Sequence, residues 1–162
     1  MANVADRPQT QLYAVKVTNG QERTVAEMLA DKARVEHISV MAILAQRLVR
    51  VLCMKCRESY QITPAEITEL EIKAAVQGKT VYRAKGCEVC FQTGYLGRSA
   101  IYELLIVDDD IRQLIMKNAD ASMIKAMAMD KGMQTLRQDG ARKVLAGLTS
   151  VDEVVRVTQK EA

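Results

Sequence analysis

Residues 86–105 read GCEVCFQTGYLGRSAIYELL, and residues 53–56 read CMKC. Each stretch holds two cysteines separated by two residues. A C-x-x-C turn directs two sulfurs at one point, and two such turns complete a tetrahedral shell of thiolates about 2.3 Å from Zn²⁺. The sequence therefore predicts one structural zinc ion, whose ligands are the four cysteines of the chain: Cys53, Cys56, Cys87 and Cys90.

Other uses of the cysteines fit the sequence less well. Two disulfides would require an oxidising compartment, and MANVADRPQTQ at residues 1–11 has no secretory h-region. Four unrelated buried thiols would not share one spacing. A thioredoxin-like redox pair would be a single C-x-x-C in a βαβ setting. Since four thiolates leave no open position for water, and the single histidine, His37, is far away in sequence, we expect a structural rather than a catalytic site.

The segment around the two pairs, residues 45–107, is predicted to be a small α+β zinc subdomain. SYQIT and KTVYRAK are strand-like, and Thr63 to Glu66 form a capping box with a proline at the first helical position. Gly78 is expected to end that helix, and SAIYELLIV to form a core strand. Gly94 and Gly97 indicate tightly turned backbone. Three interpretations are open for Arg98: contact with Glu103, contact with a carboxylate on a neighbouring subunit, or a solvated surface residue that follows a turn. Lys55, Arg57 and Lys85 flank the cysteines and are expected to offset the charge of the thiolates, together with backbone N–H groups.

Residues 108–162 are predicted to form a small bundle of four short helices. Asp108 is expected to cap the first helix and Ser150 the last, with Glu153 at the capping-box position. The methionines of DASMIKAMAMDKG favour adaptable core over a partner groove. Gly140 is expected to weaken the third helix.

Composition excludes several functions. The net charge is +3, and no stripe of basic residues interleaved with aromatics indicates direct nucleic-acid binding. The longest apolar run, ISVMAILA, is too short for membrane insertion, so a cytoplasmic location is expected. GKT at residues 78–80 resembles the end of a phosphate loop, but Lys73 stands where that motif requires glycine. We expect no catalytic residues, no cofactor-binding residues other than the zinc ligands, and no enzymatic activity.

From about residue 42 to 158 the chain resembles the secretion and pilus ATPases of the GspE/PilB family. The resemblance is carried by LAQRLVRVLCMKC, by GCEVCFQTGYLGRSAIYELLIVDDDIRQLI and by LRQDGARKVLAGLTSVDEVVRVT. Met54 stands where many members of that family have proline. The family implies a tetracysteine zinc subdomain near the end of a hexameric motor, followed by closing helices. Its ATP-binding motifs lie upstream of this region and are absent here, so the resemblance does not imply ATPase activity.

Residues 12–44 resemble the first half of the NGN domain of the archaeal NusG-type transcription elongation factor. LYAVKVTNGQERTVAEMLADKARVEHISVMAIL is typical of a β-α-β segment, preceded by a flexible tail at residues 1–11. That family implies binding to RNA polymerase, but the second half of the domain is missing. The alternative to an NGN domain is a β-α-β extension of no special function that packs on the zinc subdomain.

Two functions follow from these resemblances. The first is a non-catalytic zinc module with protein partners: secretion ATPase subunits or inner-membrane platform proteins. The alternative is a transcription elongation module that binds RNA polymerase through residues 12–44. The predicted fold class is α+β in both cases.

Overall fold

A long antiparallel ribbon of two strands forms the centre of the fold. The structure is a computed structural model and describes residues 42–72 and 74–159. The expected tail at 1–11 and the NGN-like segment at 12–44 lie outside the described residues, apart from 42–44. Strand β1 (Ala42–Leu52) pairs with the strand that closes the zinc subdomain (Tyr95–Ile106). The register sets Leu44 opposite Leu104 and shifts after Arg50, so that Leu52 faces Tyr95.

A small second sheet and one short helix lie between the ribbon strands in sequence. Strands β2 (Glu58–Gln61) and β3 (Thr80–Arg83) pair antiparallel, which confirms the two strands predicted there, and the closing ribbon strand is β4. Helix α1 (Pro64–Glu69) begins at the predicted capping box, in which the Thr63 side chain accepts from the Glu66 amide. A single 3₁₀ turn follows at Ala74–Val76.

The predicted end of α1 at Gly78 was wrong. The helix ends at Glu69, and Glu71 takes the left-handed conformation with φ of 55°. Gly78 also has a positive φ, of 76°, but it lies in the turn that enters β3. A glutamate therefore occupies the backbone position that sequence patterns assign to glycine.

Four helices follow the ribbon, as predicted. They are α2 (Asp109–Met116), α3 (Ala121–Asp130), α4 (Leu136–Leu145) and α5 (Val151–Thr158). The predicted caps are present, because Asp108 accepts from the Ile111 amide and Ser150 accepts from the Glu153 amide. The described chain is thus a mixed α+β fold.

The helices cover the ribbon as two pairs. Helices α4 and α5 pack on each other and on the ribbon, and α2 packs on α3 around a second apolar cluster of Val107, Ile111 and Ala128. Gly140 permits the close approach of α4 to α5, since a Cβ there would lie 2.5 Å from a methyl group of Val154. The main core contains Val49, Ile62, Ile67, Leu70, Val81, Ile101, Ala141, Val144, Val151 and Val154.

The methionines of α3 are not core residues. Met123 and Met127 are exposed, whereas Met133 packs against the second cluster. In the described part of the chain, no helix has the length and apolarity needed to span a membrane.

Candidate metal centre

The four predicted ligands meet at one point. Their sulfur atoms all lie within 4.8 Å of one another. The Sγ atoms of Cys53 and Cys87 are 3.9 Å apart, and those of Cys56 and Cys90 are 3.8 Å apart. A tetrahedron with metal–sulfur bonds of about 2.3 Å has edges of about 3.8 Å. These separations match a four-sulfur metal shell, and they are far longer than a disulfide bond of about 2.05 Å.

Two tight turns present the sulfurs. In the first, the amides of Cys56 and Arg57 both donate to the carbonyl of Cys53. In the second, the amides of Cys90 and Gln92 both donate to the carbonyl of Cys87. We call these two turns, residues 53–57 and 87–92, the first and second knuckle.

Glycine allows the backbone to close around the second knuckle. A Cβ at Gly94 would lie 2.6 Å from the Cβ of Ala84, and one at Gly86 would lie 2.7 Å from the carbonyl oxygen of Gln92. Both glycines have positive φ. The carbonyl of Gly94 also accepts from the amide of Cys53 at 2.9 Å, which joins the two knuckles. Gly97 also has a positive φ, but a Cβ there would meet nothing within 4 Å, so a side chain would be obstructed at Gly94 and not at Gly97.

Backbone amides stabilise negative charge on the cluster. The amides of Cys87 and Gly94 each donate to Cys90 Sγ at 3.2 Å. Burial opposes ionisation of Cys90, but these N–H groups, together with hydrogen bonds from the thiols of Cys87 and Cys56, hold the pKa of Cys90 below its usual value. The pKa of Cys56 is raised instead, mainly by burial. The predicted backbone contribution to charge balance is therefore present.

Two of the three flanking cations, Lys85 and Arg57, also contact protein groups other than the cysteines. The Lys85 ammonium lies 2.7 Å from a carboxylate oxygen of Glu58. The Arg57 guanidinium donates to the carbonyl of Gly147 and stacks 4.0 Å above the ring of Tyr82. Lys85 and Arg57 thus stabilise the chain next to the knuckles through these contacts. The side chain of Lys55 is exposed to solvent.

The arrangement fits a structural site. In the described residues, the four cysteines are the one group of three or more Cys, His, Asp or Glu side chains placed to hold a metal ion. Four sulfurs fill a tetrahedral shell and leave no position for a reacting water. The GKT stretch enters β3 rather than opening a helix, so it lacks the setting of a phosphate loop.

A buried carboxylate that binds Arg50, three residues before Cys53, was missed by sequence reasoning. Glu153 is fully buried and accepts from the amide and the guanidinium of Arg50 and from the guanidinium of Arg156. Burial alone would raise the pKa of Glu153, but the hydrogen bonds from Arg156 and Arg50 lower it to about 2. The S-x-x-E pattern of residues 150–153 indicates a capping box and gives no sign that the Glu153 side chain binds Arg50 instead.

Arg98 does not pair with Glu103. The two residues are five positions apart on β4 and therefore point to opposite faces. Glu103 instead accepts from the amide of Leu136 at 3.2 Å and lies 4.0 Å from Lys125.

Comparison with known proteins supports the resemblance of the tetracysteine region to secretion and pilus ATPases. A family model described as type II/IV secretion system protein matches residues 17–156. The chain is 46% identical over 123 residues to the type II secretion system protein E of Pseudomonas aeruginosa, covering 76% of this chain and 24% of that protein. It is 40% identical over 146 residues to the type IV pilus assembly ATPase PilB of Thermus thermophilus, covering 87% of this chain and 16% of that protein.

The chain spans a quarter or less of the length of these relatives. The family match begins at residue 17, inside the stretch that resembles an NGN domain, and the comparisons give that second resemblance no support. With 140 consecutive positions matched, from residue 17 to residue 156, the chain belongs to the type II/IV secretion system protein family.

Proposed function

We propose that the chain is a non-catalytic, zinc-stabilised module of a type II secretion or type IV pilus assembly ATPase. It acts on the cytoplasmic side, where it contacts neighbouring ATPase subunits or an inner-membrane platform protein. The observation that carries this proposal is the four-sulfur cluster, whose separations suit Zn²⁺ and whose two knuckles lie in the region shared with the secretion proteins.

The bound metal is proposed to be zinc because of the ligand set. Four thiolates in tetrahedral array favour Zn²⁺ or an iron–sulfur cluster. Sulfur separations near 3.8 Å suit one central ion with bonds of about 2.3 Å. Zn²⁺ would supply no chemistry beyond holding the two knuckles together.

The chain is proposed not to hydrolyse ATP. Lys79 lies at the entry to β3 and is exposed, so it is not held at the start of a helix where phosphate would bind. Phosphate release by the purified chain should equal that of a buffer blank, with and without Mg²⁺. Turnover that Lys79→Ala abolishes would show that GKT does bind nucleotide and would overturn this part of the proposal.

Partner binding is tested by calorimetry. The zinc-loaded chain is titrated with the cytoplasmic domain of the platform protein from the same organism, and with an ATPase subunit. A saturable complex with either one is expected. Binding to neither protein by a chain that retains its metal would contradict the proposed function.

A further inference from the structure

Strand β1 has one edge that pairs with β4 and a second edge that faces away from it. The backbone of Arg50 defines this second edge, because its amide donates to Glu153 at 3.0 Å and its carbonyl accepts from the Thr149 hydroxyl at 2.8 Å. Neither group is therefore used in the pairing with β4. In an antiparallel pair such outward residues alternate with inward ones, and the register has no shift before Arg50. Every second residue of β1, counted back from Arg50, thus directs its amide and carbonyl to the outer edge.

Among the described residues, no group is hydrogen-bonded to the outward amides and carbonyls of Leu44, Gln46 and Leu48. We call the backbone groups of these three residues the open edge. The side chains beside it are also accessible, since Leu44 is 57% exposed and Leu48 is 46% exposed. Unpaired N–H and C=O groups along a strand are a template for a further strand.

The opposite edge of the ribbon is covered by helix α4. The Tyr102 amide donates to the Asp139 carboxylate at 3.1 Å, and the Ala100 carbonyl accepts from the Lys143 ammonium. These bonds agree with the alternation, because Tyr102 lies opposite Gln46 in the register and both direct their amides outward. Since α4 blocks the middle of the β4 edge, an additional strand fits along β1.

We propose that the open edge pairs with the open edge of a second copy of this chain. The two β1 strands would run antiparallel about a two-fold axis at Gln46, which faces its own counterpart. In this register Leu44 lies opposite Leu48 of the second copy, and the outward groups form about six hydrogen bonds. The product is a four-stranded sheet in the order β4-β1-β1-β4. The proposal depends neither on the metal nor on the proposed function.

The sequence of β1 suits pairing with itself. Arg47 is the one charged residue of AILAQRLV at residues 42–49, and the two-fold register sets it opposite Ala45. A register centred on Arg47 would oppose two guanidinium groups, which is unfavourable. The leucines, exposed in a single copy, would shield each other from water. Because both open edges are used up, the assembly closes at two chains.

Sedimentation equilibrium of the zinc-loaded chain tests the pairing. One strand pair buries less than the roughly 1,200 Å² of a stable complex, so the average mass should rise with concentration from one chain towards two. Amide exchange measured by NMR locates the contact. Over a hundredfold rise in concentration, exchange at Gln46 and Leu48 should slow by about threefold or more. The amides of Ala45 and Arg47 bond to β4, so their protection should not change and provides an internal control.

Charge at residue 46 tests the two-fold register. Gln46→Lys would set two ammonium groups opposite each other and should weaken the dimer about threefold or more at low salt, and Gln46→Glu should do the same. An equimolar mixture of the two variants should restore association, because each lysine then faces a glutamate. Met123→Lys is the matched control, since Met123 is exposed on α3, and it should associate like the unaltered chain. Zinc content and protection of the Ala45 amide show that each variant is folded.

Three results would overturn the proposal. The first is the mass of a single chain at every concentration, whether or not the Gln46 amide is protected. The second is a dimer that leaves the amides of Gln46 and Leu48 unprotected, or a mixture of the two charge variants that associates no better than either alone, since the contact would then lie on another surface. The third is growth well beyond two chains, which a closed pair does not allow.

Discussion

Glu153 shows how one buried side chain joins distant parts of the chain. It lies 103 residues from Arg50, yet its carboxylate accepts from both the amide and the guanidinium of that residue. Arg50 also stacks 4.1 Å above the ring of Tyr95, whose hydroxyl lies 2.7 Å from Ser150 Oγ. The network fixes the start of α5 against the ribbon, just before the first knuckle.

Replacing Glu153 with Gln should lower the free energy of unfolding by about 2–3 kcal/mol, because charge-assisted hydrogen bonds are lost in a buried site. Urea denaturation of the zinc-loaded protein at pH 7 measures this loss. If the two free energies of unfolding differed by less than about 0.5 kcal/mol, the hydrogen bonds of the carboxylate would contribute little to stability, which would contradict this prediction. Lys125, which lies 4.0 Å from Glu103 on the surface, provides a control: Lys125→Ala should change stability little.

The contribution of Glu153 should depend on pH in acid. Its folded pKa is held near 2, below its ordinary value of 4.5. A depressed carboxyl pKa stabilises the folded state above the unfolded pKa, and that stability is lost as pH falls. The difference in unfolding free energy between the unaltered protein and Glu153→Gln should therefore be constant from pH 7 to pH 5 and shrink below about pH 4.5. Loss of metal in acid affects both proteins alike. A difference that grew towards low pH would contradict the assignment.

Gly94 and Gly97 form a matched pair of positions. Both have positive φ, but a Cβ at Gly94 would meet Ala84 at 2.6 Å, whereas one at Gly97 would meet nothing within 4 Å. Gly97→Ala should cost about 1 kcal/mol from backbone strain alone. Gly94→Ala should cost more and should also weaken metal binding, since the Gly94 amide donates to Cys90 Sγ. Thermal unfolding and competition with a zinc chelator measure the two effects, and equal losses for both variants would show that the contact at Gly94 relaxes.

At the scale of elements, the loop between α4 and α5 closes onto the ribbon beside the first knuckle. The Leu52 amide donates to the carbonyl of Leu148, and the Thr149 hydroxyl donates to the carbonyl of Arg50. Arg57 donates to the carbonyl of Gly147, where a Cβ would lie 2.9 Å from the guanidinium. Because these hydrogen bonds join the two segments, we expect that a loss of structure in the first knuckle also loosens this loop.

Metal removal should loosen these linked elements first. After chelation, amide hydrogen exchange should accelerate at Leu52, Cys53 and Gly94, because their hydrogen bonds depend on the knuckles. The amide of Arg112 in α2 should be less affected, since that helix packs in the second apolar cluster. Uniform acceleration over the described residues would mean that metal and global folding form one cooperative unit.

Elements with local signals were predictable from sequence. The caps at Thr63, Asp108 and Ser150 are short-range patterns, and each begins a helix as expected. Strand β1 was not recognised over its full length, because both of its faces carry apolar residues and the alternation is obscured. The end of α1 was misplaced because Glu71 adopts a conformation that sequence patterns assign to glycine.

For the whole molecule, the meeting of the four cysteines was predictable and the contacts around them were not. Two C-x-x-C pairs place four sulfurs together whatever connects them, so Cys53, Cys56, Cys87 and Cys90 could be named in advance. The partners of Arg57 and Lys85 depend on how β2 and α4 pack, which spacing does not encode. The pairing of Arg50 with Glu153 required the tertiary fold for the same reason.

The proposal that four cysteines hold one zinc ion is tested most directly by metal content measured together with X-ray absorption at the zinc edge. The zinc-loaded chain should contain one equivalent of zinc, with four sulfur neighbours at about 2.3 Å and no oxygen or nitrogen ligand. Replacement of Cys87 with Ser should abolish stoichiometric binding and unfold the knuckles. A chain that folds fully without metal, or a shell with fewer than four sulfurs, would contradict the central claim.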